Sequence, residues 1–140
     1  ERKTAYLHTD GKNQKLVSKH KQAGKEVIFM THEESKILAN EIVKALEDRK
    51  AKDIEVISTA KLEAVTDYFI VCSGTSSTHL RGIADLVEER LEEKGIKCAH
   101  LEGYSTANWI LMDYIDVVVH IFREEDREFY NIERLWKDGR

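Results

Sequence analysis

Two stretches of this sequence place polar side chains at the ends of apolar segments, where α/β proteins commonly hold their working groups. The first is Asp67-Tyr-Phe-Ile-Val-Cys-Ser-Gly-Thr-Ser-Ser77, an apolar run that ends in glycine and hydroxyl residues. The second is Trp109-Ile-Leu-Met-Asp-Tyr-Ile-Asp-Val-Val-Val-His-Ile-Phe122, which holds two aspartates and a histidine among β-prone residues. These residue types can bind phosphate, hold a metal ion or transfer a proton, and their spacing decides among these chemistries.

The turn Gly74-Thr75-Ser76 resembles a phosphate cradle, because free backbone N–H groups at a helix start attract anions. Hydroxyl residues before a helix more often act as N-caps, and capping is the preferred interpretation. A nucleotidyltransferase would also need two carboxylates near this turn, at positions i and i+2 of a neighbouring strand, to hold Mg²⁺. Asp53 and Glu55 have this spacing but precede the turn. A nucleotide-binding or nucleotidyltransferase-like enzyme therefore stays the alternative function.

Residue spacing also argues against metal binding and acid–base catalysis in the second stretch. Asp113 and Asp116 are three residues apart and would point to opposite faces of a continuous strand. Asp116 and His120 lie about 13 Å apart along a strand, too far for one metal ion or a direct hydrogen bond. His120 is better interpreted as a core or interface histidine. We predict no catalytic residues, no metal site, no cofactor and no enzyme activity.

The elements that position these stretches follow from hydrophobic periodicity. Apolar residues at helical spacing predict helices over roughly 33–50 and 77–94, the second ending at Lys94-Gly95. Strands are predicted at 53–58, at 68–72 in the middle of the sheet, and at 96–101. Trp109–Met112 and Val117–Phe122 predict an antiparallel hairpin, followed by a helix over 124–136. The order predicts an α/β (α+β) fold with a mixed sheet of about five strands flanked by helices.

Length and charge predict one domain with an added segment. The 140 residues suit a single domain. Residues 1–29 carry a net charge of +4 and are predicted to be a poorly ordered basic extension of uncertain origin, whereas residues 30–140 carry −8 and form the domain. The acidic domain argues against direct sequence-specific nucleic-acid binding and favours a basic protein partner.

Two further observations concern location. No apolar run approaches the roughly 18 residues of a membrane span, so no membrane association is predicted. Cys72 and Cys98 lie in apolar segments rather than in a disulfide framework, which favours a reducing, cytoplasmic setting.

The pattern as a whole resembles the iojap family, the bacterial ribosomal silencing factors, over about residues 33–138. The blocks that carry the resemblance occur in the same order as in the family: Asp67–Ser77, Ile83-Ala-Asp85, Glu102-Gly103, Trp109-Ile-Leu-Met-Asp-Tyr, Asp116-Val-Val-Val-His-Ile-Phe122 and Tyr130-Asn-Ile-Glu-Arg-Leu-Trp136. One departure is Ile115, where the family commonly has glycine. A β-branched residue resists positive φ, so the conformation of this turn is an open question.

The resemblance implies a nucleotidyltransferase-like fold without the catalytic carboxylates. It also implies a translational repressor that binds ribosomal protein L-fourteen on the large ribosomal subunit and sterically blocks joining of the small subunit. Family members are also seen as homodimers, so a dimerisation module is a further hypothesis.

Aromatic and acidic residues around the hairpin are the candidate docking residues, since Trp and Tyr are enriched in interface hot spots. The plainer interpretation is that Trp109 is core and the aspartates only form the turn. Our hypothesis is that a partner-binding surface is formed by Trp109, Asp113, Tyr114 and Asp116, supported by Glu102 and His79.

Overall fold

The structure, a computed structural model, describes residues 31–59 and 66–127 with their side chains. It also describes, as backbone only, residues 128–130 and three short strands near the start of the chain: β1 (Tyr6–Leu7), β2 (Ser18–Gln22) and β3 (Lys25–Phe29). Strands β2 and β3 pair in an antiparallel hairpin. The rest of residues 1–29 lies outside the described residues, so the interpretation of this segment as a poorly ordered extension stays a prediction.

Two long helices form where the periodicity predicts them. Helix α1 (His32–Asp48) begins with a capping box, in which the Thr31 hydroxyl accepts from the Glu34 N–H and the Glu34 carboxylate accepts from the Thr31 N–H. Helix α2 (Ser77–Glu93) begins after Ser76, whose hydroxyl accepts from the His79 N–H at 3.1 Å. Ser76 is therefore an N-cap, as the sequence predicts. Beyond α2, Gly95 adopts a φ of 81°, which suits glycine.

A mixed five-stranded sheet forms the centre of the fold, which confirms the predicted fold class. Its strands are β4 (Lys52–Ser58), β5 (Tyr68–Gly74), β7 (His100–Glu102), β8 (Trp109–Asp113) and β9 (Val117–Arg123). The spatial order is β4-β5-β9-β8-β7, in which β5 and β9 are parallel and all other pairs are antiparallel. The predicted antiparallel hairpin is the β8–β9 pair.

Two strand predictions need correction. The central strand is β9 and not β5, which lies one place nearer the β4 edge. The single strand predicted over 96–101 is two short strands, β6 (Ile96–Lys97) and β7, and β6 pairs with β1 outside the main sheet. Between β6 and β7, the Ala99 N–H donates to the Asp113 carbonyl at 2.8 Å. This hydrogen bond aligns the chain with β8, with which β7 pairs.

The sheet is covered differently on its two faces. Helices α1 and α2 pack on one face, here called the helical face, and bury Ile70, Val119 and Ile121 with their own apolar stripes. Helix α3 (Glu124–Tyr130) contacts β5 and β9 and brings Arg127 to the Ser73 hydroxyl at 2.7 Å. The opposite face, here called the second face, carries a smaller cluster: Ile57, Phe69, Val71, Val118, Trp109 and Phe122. The predicted end of the last helix at 136 lies outside the described residues.

Candidate functional site

One exposed area of the second face collects three of the six predicted docking residues. Across β7 and β8, His100 pairs with Asp113 and Glu102 pairs with Leu111. Directly opposed residues point to the same face, and Trp109 shares that face because it lies two residues from Leu111. We call these five residues the β7–β8 surface: His100, Glu102, Trp109, Leu111 and Asp113.

The β7–β8 surface is accessible and acidic. His100 and Glu102 are exposed, and the other three side chains are half-buried. Two of the five side chains are carboxylates: Glu102 lies opposite Leu111, and Asp113 follows Leu111 along β8. An arrangement of this kind offers a partner apolar contact area with charges that select a basic surface.

The Trp109 side chain is held in place by contacts with His120 and Phe122 of the neighbouring strand β9. Its indole N–H donates to Nδ1 of His120 at 3.0 Å, and its ring lies 5.0 Å from the ring of Phe122. His120 is buried and lies 4.4 Å from the ring of Phe69. Burial lowers the pKa of His120 to about 4, against the opposing effect of the Asp113 charge. His120 is therefore a core histidine, as predicted, and its neutral form holds Trp109 in place.

Two other predicted docking residues, Tyr114 and Asp116, are buried in the turn between β8 and β9. Their side chains are 1% and 0% exposed. The Asp116 carbonyl accepts from the N–H groups of Asp67 at 2.8 Å and Tyr68 at 3.1 Å, which ties the start of β5 to the start of β9. Burial, reinforced by the neighbouring Cys98, raises the pKa of Tyr114 above its usual range. These two residues shape the turn from inside the fold.

Ile115 resolves the question that the sequence left open, because it adopts the left-handed conformation that glycine would favour. Its φ is 72°, and its side chain is buried. Three hydrogen bonds hold the strained turn: Ile115 N–H to Asp113 Oδ1 at 2.7 Å, Thr66 Oγ1 to the Ile115 carbonyl at 3.1 Å, and Asp116 N–H to the Tyr114 carbonyl at 2.8 Å. The surrounding contacts thus impose a conformation that the β-branched side chain disfavours.

We expect Ile115→Gly to be more stable than Ile115→Ala by about 1 kcal/mol, because alanine keeps a Cβ at positive φ and glycine does not. Both variants lose the same buried side chain, so the difference isolates the backbone. Urea unfolding measures it. At Val119, which is equally buried but lies within β9, alanine should be the more stable of the same two replacements. If glycine and alanine rank in the same order of stability at both positions, the backbone of Ile115 is not strained.

His79, the sixth predicted residue, lies away from the β7–β8 surface. Its Nδ1 accepts from the Thr75 N–H at 2.9 Å, and its Nε2 lies 2.8 Å from the Arg49 carbonyl. The ring therefore joins the end of α1 to the turn before α2, on the helical side of the sheet. His79 therefore has a structural role between α1 and α2.

The sequence reasoning missed His100 and Leu111. The alternation of Trp109, Leu111 and Asp113 along one strand was a signal that would have included Leu111. The same alternation places His100 on one strand face with Glu102, and the register of β7 against β8 then brings both residues beside Leu111 and Asp113.

Metal and membrane sites were also searched for in the described residues. Within residues 31–59 and 66–127, no three His, Cys, Asp or Glu side chains come together in a way that could hold a metal ion. In that same part of the chain, no helix has the length and apolar character needed to cross a bilayer.

Comparison with known proteins places this chain in a family. A family model described as "Ribosomal silencing factor during starvation" matches residues 32–140. The chain belongs to the ribosomal silencing factor family. The predicted resemblance is thereby confirmed.

Individual relatives agree with this assignment. The ribosomal silencing factor RsfS of Bacillus subtilis is 38% identical over 95 residues, which span 68% of this chain and 80% of that protein. A mouse protein named for mitochondrial assembly of the ribosomal large subunit is 33% identical, with 68% and 43% of the two chains covered. A crystal structure of a Chromobacterium violaceum protein superposes with a TM-score of 0.71 at 35% identity, covering 73% of this chain and 85% of that one. Membership in this family supports a ribosome-associated role in silencing translation.

Proposed function

We propose that this chain represses translation by binding the large ribosomal subunit at ribosomal protein L-fourteen and blocking the joining of the small subunit. The mechanism is steric exclusion: the bound protein occupies a surface that the small subunit needs, and no covalent bond is made or broken. One observation carries the proposal: this member of the family gathers Glu102, Trp109 and Asp113 on one accessible face of its sheet.

The chemistry of the β7–β8 surface supports a protein partner. Trp109 offers a large, partly exposed ring whose orientation is already fixed by His120, so little conformational entropy is lost on binding. Glu102 lies diagonally across from Trp109, and Asp113 lies at the other end of the surface beyond Leu111. Both add negative charge in a chain whose net charge is −4. Charges at the rim of such a surface steer a basic partner and reject an acidic one.

The buried members of the predicted set act indirectly in this proposal. Tyr114 and Asp116 hold the turn that orients Asp113, and His79 holds the opposite edge of the fold. We propose that none of these three side chains touches the ribosome.

A homodimer is the second assembly that we propose. Among the described strands, β7 has only one neighbour, β8, so its other edge can pair with a second copy. A dimer formed there would cover Glu102. Ribosome binding should then weaken as the protein concentration rises above the dimer dissociation constant.

Sedimentation with purified large subunits tests the proposed function. The wild-type protein should comigrate with large subunits through a sucrose gradient and reduce the formation of whole ribosomes from added small subunits. Glu102→Lys should weaken the association about tenfold, because it places a cation against the basic partner.

Glu89→Lys provides the matched control, since Glu89 is exposed on α2 and the change in charge is the same. This control should comigrate like the wild-type protein. Failure of the wild-type protein to comigrate would refute ribosome binding itself. Equal binding by Glu102→Lys and Glu89→Lys would refute only the assignment of the surface.

A further inference from the structure

An open groove of about 430 Å³ lies at the carboxyl end of β5, at the opposite edge of the sheet from the β7–β8 surface. Three elements form it: the end of α1, the start of β4 and the turn between β5 and α2. Six residues line it: Asp48, Arg49, Lys50, Lys52, Thr75 and His79. Three of them, Arg49, Lys50 and Lys52, are cations. The groove is thus a basic spot on an acidic protein.

The acidic groups near the groove leave positive charge in excess. Asp48 lines the groove, but its carboxylate forms an ion pair at 2.6 Å with Arg90, which is not a lining residue. Lys52 lies 3.1 Å from Glu124, and an anion in the groove would share this lysine with that carboxylate. Lys50 makes no ion pair with any residue of the part that the structure describes.

Two glycines make room for the side chains that form the walls. A Cβ at Gly82, inside α2, would lie 2.8 Å from Nη1 of Arg49. Glycine within a helix costs about 1 kcal/mol relative to alanine, and here it lets the Arg49 guanidinium lie against the helix. A Cβ at Gly74 would lie 2.7 Å from Cδ1 of Leu80 and 3.1 Å from Nδ1 of His79. The ring of His79 therefore packs against the end of β5 and fixes the floor of the groove.

The groove lies at the carboxyl end of β5, on the side of β4. Helix α2 follows β5 and packs on the helical face, whereas α3 follows the parallel neighbour β9 and reaches Ser73 on the second face. Ligands of open α/β sheets bind outside the carboxyl ends of the strands. This groove lies outside the end of β5, between the end of α1, the start of β4 and the start of α2. The Thr75 N–H donates to Nδ1 of His79, and the Thr75 hydroxyl lies 3.2 Å from the same nitrogen, so the groups left to bind a ligand here are the cationic side chains.

We propose that this groove binds the phosphate group of a phosphate ester, with Arg49, Lys50 and Lys52 supplying the positive charge. The volume lies within the range of small-ligand sites. The phosphate can belong to a small molecule with a terminal phosphate or to the backbone of an RNA strand, and the two sources share this chemistry.

Amide NMR of the full chain tests the proposal with two probes, sodium pyrophosphate and an eight-nucleotide oligouridylate that lacks terminal phosphates. Pyrophosphate should produce saturable shifts of the amides at 49–52 and 75–79 below about 20 mM. The double variant Lys50→Gln/Lys52→Gln should weaken binding about tenfold, since it removes two of the three cations.

The matched control is Lys36→Gln/Lys97→Gln, which removes the same charge at two exposed positions outside the groove lining. Its affinity should stay within about twofold of wild type. Oligouridylate shifts at the same amides would identify an RNA backbone as the source, and shifts with pyrophosphate alone would identify a terminal phosphate. No saturable shift with either probe, or equal weakening in both double variants, would overturn the proposal.

Discussion

Replacing Gly103 with alanine is expected to lower the free energy of unfolding by at least about 3 kcal/mol, the largest single effect that we predict. Gly103 links β7 to the loop before β8 and has a φ of 80°. A Cβ at this position would lie 2.0 Å from the Trp109 carbonyl oxygen, a backbone atom that cannot rotate away. Alanine therefore meets both an unfavourable φ and a collision with the neighbouring strand.

The consequence reaches the β7–β8 surface, because the Gly103 loop sets the position of Glu102. The loop is fastened to α2 by Arg81, whose Nε donates to the Tyr104 carbonyl at 3.0 Å, and by the Tyr104 hydroxyl, which donates to Asp85 at 2.9 Å. A shift large enough to relieve the collision would separate β7 from β8 or break these contacts. Gly103→Ala should therefore lose affinity for the large subunit even at temperatures where it remains folded.

Gly82→Ala is the matched control for chemical denaturation. Its new Cβ meets only the end of the flexible Arg49 side chain, and alanine is the better helix former. We expect its stability to be unchanged or higher by up to about 1 kcal/mol. If Gly103→Ala unfolds within 1 kcal/mol of the wild-type protein, the close approach to Trp109 is not a real constraint.

Local patterns were sufficient to predict most of the elements of this fold. The stripe of Leu38, Ile42 and Leu46 and the alternation within 53–58 each depend on a few adjacent residues, so the sequence contains all of the required information. The position of β9 at the sheet centre depends instead on pairing with β5 and β8 across long separations. Both β5 and β9 are apolar on both faces, so this property could not show which of the two is the central strand.

The same limit explains the site. Glu102, Trp109 and Asp113 were predicted as a cluster around the hairpin, but their common face depends on the register of β7 against β8. Tyr114 and Asp116 were expected on the surface because aromatic and acidic residues cluster around the hairpin. The left-handed Ile115 instead folds the turn inward, and no composition rule predicts a β-branched residue there.

Mild acid is expected to destabilise this protein through His120. The folded state holds His120 neutral, with a pKa of about 4 against the ordinary 6.5, because of burial. Between these values the unfolded chain binds a proton that the folded chain does not, so stability is complete above pH 6.5 and falls as the pH drops toward 4. Between pH 6.5 and 5 the loss is about 2 kcal/mol.

The hydrogen bond from Trp109 gives this titration a structural consequence. The indole N–H only donates, so Nδ1 of His120 must be unprotonated and the ring proton lies on Nε2. A second proton on Nδ1 would face the Trp109 indole N–H, so that two donors would meet without an acceptor, next to the rings of Phe69 and Phe122. Protonation should therefore release Trp109, and the affinity for the large subunit should fall together with stability.

Urea unfolding at pH 7 and pH 5 measures the effect, with His120→Gln as the variant that cannot titrate. The wild-type protein should lose about 2 kcal/mol over this interval, and His120→Gln should lose much less. His100→Gln, which removes an exposed histidine from the same face, should keep the wild-type pH dependence because that ring is not buried. An NMR titration midpoint for His120 near 6.5 would show instead that the ring is open to water, and Trp109 would then lack the fixed orientation on which the docking proposal depends.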